Sequence, residues 1–391
     1  MATTPQPSAQ PQRVSTLELF FDLVFVFTLT QLTTVLFDSP DGRGLLRVVV
    51  MLGLIWWMYG GYAWMTNAVD TGTTPRRLVL LAAMGAYFVL ALSIPHAFGE
   101  TGLAFAIAYL LVVVLHSALF TQATVASAVQ AILTLAPFNL FAAAVVVVGG
   151  AVGGTAQYAL WAGALLFEWL QSIARRPSGF LIAPAHFVER HGLVVIIAVG
   201  ESVVAIGFGA SHLPVDGSLV AVAAVGLMLS ACLWWLYFGG DDSRAEHALE
   251  ELPALERATA ALRAFGYWHM PMLLGIIAIA AVSREATAHP FEALSWARAA
   301  ILGGGVASYL AGEVAFRAEL RLGTLHWRAG GALAALVVIP VGAWLSPFAE
   351  MTALVAVLIG VIAAEAGGRR RYLRCDVDGR SLSGSPRHPR R

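Results

Sequence analysis

Leu17-Glu18-Leu19-Phe20-Phe21-Asp22-Leu23-Val24-Phe25-Val26-Phe27 sets two carboxylates inside a run that is otherwise apolar enough to lie in a bilayer. An unpaired Asp or Glu at mid-bilayer costs on the order of 3 kcal/mol, so acids in such a run face a bundle interior, a partner or water. Glu18 and Asp22 are four residues apart on one helical face, where like charges repel. At least one of them therefore needs a basic partner or a bound proton. The run continues through Thr28, Thr30, Gln31, Thr33 and Thr34, a polar lining suited to a hydrated path or an interhelical contact. Glu18 has a second reading, because a Glu after Ser15 and Thr16 is also an ordinary first-turn capping acid.

Composition extends this reading to the whole chain. Of 391 residues, 58% are hydrophobic and 12% charged, against about a quarter charged in soluble domains. The class is therefore an all-α polytopic membrane helix bundle whose first partner is the lipid bilayer. A formal net charge of zero leaves no basic surplus for a phosphate backbone, so nucleic acid is not a partner. The two cysteines, Cys232 in an apolar run and Cys375 in the polar tail, show no ligand spacing for a metal and no disulfide framework. No cofactor or metal is implied.

Apolar runs of about twenty residues, each able to cross a core of about 30 Å, recur over 16–37, 44–66, 77–94, 102–121, 127–148, 155–173, 188–209, 218–238, 257–282, 296–316, 326–345 and 347–366. About twelve spans follow, with the last pair divided only around Ser346 and Pro347. The segment 1–14, rich in Pro, Gln, Ser and Thr, lacks a basic region before a cleavable apolar core and reads as a disordered lead, with the first helix retained. Arg13, Arg76, Arg77, Arg175, Arg176, Arg190, Arg244, Arg317, Arg321 and Arg328 fall in this lead and the even-numbered loops. Arg369, Arg370, Arg371 and Arg374 fall in the tail, and only Arg43, Arg47, Arg284 and Arg298 lie opposite. The positive-inside rule then puts both termini in the cytoplasm. The tail, 367–391, is a topology anchor or a contact for anionic headgroups.

A faint repeat divides the chain. Ile55-Trp56-Trp57-Met58-Tyr59-Gly60-Gly61 near the end of the second span is echoed by Leu233-Trp234-Trp235-Leu236-Tyr237-Phe238-Gly239-Gly240 near the end of the eighth. Met84-Gly85-Ala86-Tyr87 in the third span resembles Phe265-Gly266-Tyr267-Trp268 in the ninth. Six helices separate the members of each pair, which implies two parallel six-helix halves, 15–173 and 188–366, joined by a cytoplasmic linker over 174–187. Aromatic-Gly clusters at membrane interfaces are the alternative source of the echo.

If the halves correspond, the first and seventh spans are equivalent, and Asp22 approaches Glu189-Arg190-His191-Gly192 from the same side. A contact of Asp22 with Arg190 or His191 is expected. Further along the seventh span, Gly200-Glu201-Ser202 holds the deepest acid of the chain. Eleven residues from Arg190 place Glu201 about 16 Å away along the helix, so it needs a partner from another helix or a bound proton. It is either a functional group or a protonated acid that ties helices together. Arg263 is one candidate partner, although an Arg near a helix end also snorkels to the interface. Glu168, His269 and Glu313 are secondary candidates. His116, like His269, reads as a satisfied interhelical hydrogen bonder. Asp241, Asp242, Glu246, His247, Glu250 and Glu251, in the longest hydrophilic connection, read as an exposed acidic helix rather than a divalent-cation site.

The motif Glu18-Leu19-Phe20-Phe21-Asp22-Leu23-Val24-Phe25-Val26, with Glu189-Arg190-His191-Gly192 and Gly200-Glu201-Ser202, resembles the bacterial low temperature requirement protein A family over nearly the full length, Ser15 to Ala366. The resemblance implies a multi-pass protein of the bacterial cytoplasmic membrane, named for growth at low temperature, and brings no catalytic residues with it. A more distant similarity is to potassium channels of two six-helix repeats, whose first helix carries Phe-Ser-Asp. Here Phe20-Phe21-Asp22 puts Phe21 in place of the Ser, and the second half lacks the motif.

Three functions are consistent with these residues. The first is a secondary transporter or permease for an unknown small solute or ion, proton-coupled, with Asp22, Glu201 and Glu18 on the path and Glu189, Arg190 and His191 balancing charge or gating. The second is a cation channel lined by the first and seventh spans. The third is a membrane-embedded enzyme or lipid-interacting factor, for which no nucleophile elbow, phosphate loop or HExxH pattern is present. A homo-oligomer is compatible with each.

Overall fold

Residues 14–69, 71–175, 179–180 and 182–382 are described by a computed structural model, with side chains to residue 368. Most of the expected lead, including Arg13, together with Arg176 and the end of the tail, lies outside the described residues. The helices are α1 (Thr16–Asp38), α2 (Gly42–Ala68), α3 (Thr74–Ser93), α4 (Gly102–Phe120), α5 (Ala126–Val152), α6 (Gly154–Ala174), α7 (Pro184–Ala210), α8 (Gly217–Phe238), α9 (Asp241–Glu251), α10 (Ala254–Ala261), α11 (His269–Ala288), α12 (Trp296–Leu320), α13 (His326–Trp344) and α14 (Pro347–Leu382). Among the described residues there is no strand. The chain is a helical membrane bundle in which, among the described residues, 11 helices are long and apolar enough to span a bilayer. α6 has span length but carries Gln157, Glu168 and Gln171.

Local chemistry sets the helix ends. Ser15 caps α1 in a reciprocal box with Glu18, and Asp41 and Asp216 accept the N–H of Gly44 and Leu219 to cap α2 and α8. Proline in the first turn opens α3 and α7. α7 therefore begins at Pro184, earlier than the hydrophobic pattern alone indicates, and α14 continues past residue 366 to Leu382.

α1, α2, α7 and α11 form the interior. α1 packs on α2, α3, α7 and α11, and α7 packs on α8, α9 and α11. The first half continues α3 on α4, α4 on α5 and α5 on α6, and the second continues α11 on α12, α12 on α13 and α13 on α14. Around this interior, large apolar side chains such as Leu78, Leu92, Leu170 and Val337 point outward. That arrangement suits lipid rather than water.

Pro271 shapes the interior helix. It has no N–H and its ring crowds the carbonyl four residues back, and upstream of it the chain widens into a π turn over Leu262–Tyr267. The carbonyls this loosens are not left bare. Ala264 accepts from His269 Nδ1 at 2.9 Å and Gly266 from Trp56 Nε1 at 2.8 Å, as a backbone at membrane depth requires. The second of these bonds reaches from α2 to the π turn that leads into α11.

Helix association in lipid depends on close backbone approach, and the α11–α12 crossing supplies it. A Cβ at Gly275 would stand 2.5 Å from the Gly305 carbonyl oxygen and 2.8 Å from the Tyr309 nitrogen. Gly275→Val is therefore expected to destabilise the bundle by about 1–3 kcal/mol through overpacking, read as a lower Tm in detergent. A Tm equal to that of the unmodified chain would show that this crossing is not tight.

Candidate functional site

The acids of the first helix meet α7. Because α1 and α7 run parallel, Glu18 faces His186 and Arg190, Asp22 faces Arg190, and Thr30 faces Glu201. Arg190 is fully buried. Its Nη1 donates to Glu18 Oε1 at 3.1 Å and to Thr66 Oγ1, and its Nη2 donates to Asp22 Oδ1 at 3.3 Å. The guanidinium carbon also lies 5.6 Å and 5.8 Å from the ring centroids of Phe21 and Tyr59, so aromatic faces complete its surroundings. The Asp22–Arg190 contact expected from the equivalence of the two spans is formed.

Both readings of Glu18 hold at once. Its Oε2 accepts from the Ser15 N–H and Oγ at 2.8 Å each, while Oε1 faces Arg190 and, at 3.2 Å, His186 Nε2. His186 has a second neighbour. The Ala183 N–H donates to Asn67 Oδ1 at 2.8 Å, which turns the Asn67 NH₂ toward His186 Nδ1 at 3.2 Å. Nδ1 of His186 thus faces the Asn67 amide, and its Nε2 faces Glu18.

Charge then does not balance. Glu18 and Asp22 face one permanent cation, Arg190, and the centre is neutral only when it also holds a proton or a monovalent cation. Asp22 Oδ1 accepts from Tyr59 at 3.0 Å and from Arg190, whereas the buried Oδ2 has no hydrogen-bond partner among the described residues.

The remaining candidates separate from this centre. Glu189 is exposed and accepts the Val14 N–H at 3.4 Å. Glu201 is buried and takes the Thr30 hydroxyl at 2.7 Å, so its partner from another helix is a neutral hydroxyl. Arg263 is not that partner: it sits at the surface 3.5 Å from Glu319. His191 donates from Nδ1 to the Phe187 carbonyl at 2.8 Å. His269 bridges the Ala264 carbonyl and the Tyr237 hydroxyl, which lies 2.9 Å from Nε2. Glu168 is fully buried beneath the Tyr109 hydroxyl, 3.1 Å away. His116 departs from the expectation of a satisfied hydrogen bonder. It lies against Gly61, and neither ring nitrogen completes a well-formed hydrogen bond.

A second ionic cluster corrects two expectations. Asp241 is buried, not part of a fully exposed acidic helix, because positions 241, 245 and 249 of α9 face inward. Arg317 Nε donates to Asp241 Oδ2 at 2.7 Å, and Arg328 Nη1 lies 2.8 Å from the same oxygen. Glu365 takes Arg317 at 2.6 Å and Arg328 at 3.0 Å, and Glu313 pairs with Arg328. Arg190, Arg317 and Arg328, counted from sequence among the loop arginines, are thus interior counter-ions rather than solvated loop charges.

A family model described as bacterial low temperature requirement A protein (LtrA) matches residues 13–363. An uncharacterized protein of Rhizobium meliloti (strain 1021) is 31% identical over 310 residues, covering 76% of this chain and 75% of the relative. No solved structure matches the chain. The chain belongs to the bacterial low temperature requirement A protein family.

Removing one partner of a buried ion pair leaves its counter-charges stranded, at a cost of about 3–5 kcal/mol. Arg190→Met is expected to lower stability by that order, and adding Asp22→Asn and Glu18→Gln to recover part of it. Thermal unfolding in one detergent checks both statements. Equal stability of Arg190→Met and the unmodified chain would contradict the pairing.

Proposed function

We propose that this member of the low temperature requirement A family is a proton-coupled secondary transporter of the bacterial cytoplasmic membrane, with Asp22 as the group that takes up and releases the coupling proton. One observation carries the reading: a buried centre with two carboxylates, one guanidinium and an imidazole, in which Asp22 Oδ2 has no hydrogen-bond partner among the described residues. Intramembrane acids with incomplete pairing are where pumps and transporters handle protons. With the proton on Asp22, the centre is neutral. When the proton leaves, the excess charge draws Arg190 more strongly toward α1, and this changed attraction is the means by which a proton biases one packing of α1 against α7 over another.

Other features support the same architecture. α1 and α7 run parallel, the order of packed neighbours in the first half is repeated in the second, and Tyr59 and Tyr237 occupy matching places in the two aromatic-Gly motifs. These fit two parallel repeats rocking about their interface. The arginine distribution supports cytoplasmic termini. Glu201, one helix stretch beyond Asp22 and hydrogen-bonded to Thr30, is a second station on the same α1–α7 seam.

Proteoliposomes under imposed pH, K⁺ and Na⁺ gradients test the proposal. A saturating proton flux driven by the pH gradient is expected, reduced at least tenfold by Asp22→Asn and several-fold by Glu201→Gln at equal reconstitution. Current that rises without saturation would replace the transporter with a channel. Silence in every gradient, or flux untouched by Asp22→Asn, would overturn the assignment of Asp22.

A further inference from the structure

A cavity of about 590 Å³ opens among α2, α4, α5 and α6, with His191 of α7 and Gly266 of the π turn on its far wall. Three observations converge on it. Its walls are flat and aromatic, with Trp56, Trp57, Trp64, Phe120 and Phe180 contributing. Among the buried polar side chains that line it are His116 of α4, Asn139 of α5 and Gln171 of α6, each more than nine-tenths buried. Gln171 has neither its Oε1 nor its Nε2 bonded, Asn139 has a free Oδ1, and both ring nitrogens of His116 lack a well-formed bond, among the described residues.

Buried amides left without partners are costly and rare in folded proteins. One such group is an isolated oddity; two that converge on one void, beside the His116 ring against Gly61, make an unmet set of donors and acceptors. The void is roomy enough for a compact organic molecule, and its polarity selects among them. Among the described residues no carboxylate lines the wall, so none there compensates a cation. Arg175 is the one charged side chain on it among the described residues, and its guanidinium carbon lies 4.0 Å from the Phe138 ring centroid. The free groups mix both senses, because an amide offers one acceptor and two donors and a neutral imidazole one of each. Gln171 in particular presents an N–H and a C=O side by side, the complement of a lactam or carboxamide edge. Aromatic walls favour a planar partner that can stack or meet them edge to face.

We infer that this cavity is a binding site for an uncharged, planar heterocycle that carries adjacent N–H and C=O groups, read by Gln171, Asn139 and His116 and held between tryptophan faces. The inference concerns binding alone and stands or falls without any measurement of flux. His191 touches the cavity and directly follows Arg190, so an occupant would sit beside the α1–α7 centre.

Purified full-length protein in detergent is titrated with uracil, nicotinamide, orotate and benzylammonium, followed by tryptophan fluorescence and by Tm. Uracil or nicotinamide is expected to quench saturably and to raise Tm. Gln171→Leu and Asn139→Leu are expected to weaken that binding at least tenfold, while their own Tm without ligand is unchanged or higher, since each removes an unbonded buried amide. The Tm measured on the unmodified protein keeps the test decisive even where one variant fails to fold. Saturable binding of orotate or benzylammonium in preference to the neutral probes would overturn the assigned class. No saturable binding of any probe, or binding unchanged in both variants, would show that the cavity holds only water or lipid chains.

Discussion

The guanidinium of Arg190 is the constraint around which the rest of the bundle is arranged. A charge in a low-dielectric interior is tolerated only when paired and hydrogen-bonded, and each partner that satisfies Arg190 comes from a different direction. Glu18 and Asp22 come from α1, Thr66 from α2, and the Tyr59 and Phe21 rings close its faces. Meeting that demand fixes α1 parallel to α7, brings α2 beside both, and places Tyr59 where it can donate to Asp22. Three of the four interior helices, α1, α2 and α7, meet at this one cation.

The second ionic cluster solves the same problem at the other half of the chain. Arg317 and Arg328 are each shared by Asp241 and Glu365, so α9, α12, α13 and α14 are tied by mutual neutralisation. The two clusters differ in one respect that matters for function. Around Arg317 and Arg328 the acids Asp241, Glu313 and Glu365 meet three guanidiniums, Arg244 being the third, whereas around Arg190 two acids meet one cation and one oxygen of Asp22 has no hydrogen-bond partner among the described residues. A closed network holds a structure together; an open one can change its charge.

The first cluster was legible in the sequence and the second was not, for a physical reason. Glu18, Asp22 and Arg190 stand out because each interrupts a long apolar run, and the echo of Trp56-Trp57-Met58-Tyr59 in Trp234-Trp235-Leu236-Tyr237 supplied the correspondence that pointed α1 at α7. Asp241 sits among Asp242, Glu246, Glu250 and Glu251, where its burial is masked by exposed neighbours. The spacing of Asp241, Ala245 and Leu249 at helical intervals was the available signal. Arg317 lies in the last turn of α12 and Arg328 in the first turn of α13, where a charge on its own reads as a solvated residue at the membrane edge. The partners of Glu201 and Glu168 are neutral hydroxyls of Thr30 and Tyr109, which carry no charge pattern to match. His116, Asn139 and Gln171 are single polar residues on three helices, and no spacing within one chain segment brings them together. The π turn had a marker in Pro271, but the identity of the groups that cover its carbonyls, Trp56 and His269, depends on packing across the two halves.

The distance in sequence between Asp22 and Arg190 is 168 residues, and it has a consequence during synthesis. At roughly 5–20 residues per second, about 8–34 s separate the emergence of the first helix from that of its counter-ion. Throughout that interval α1 holds two acids with no guanidinium to meet them. It cannot settle in lipid as an ionised helix, and must wait either uncharged, at the membrane surface, or in the keeping of the insertion machinery. The arrival of α7 ends the wait, so the same contact that orders the finished bundle also serves as the checkpoint at which its two halves are first joined.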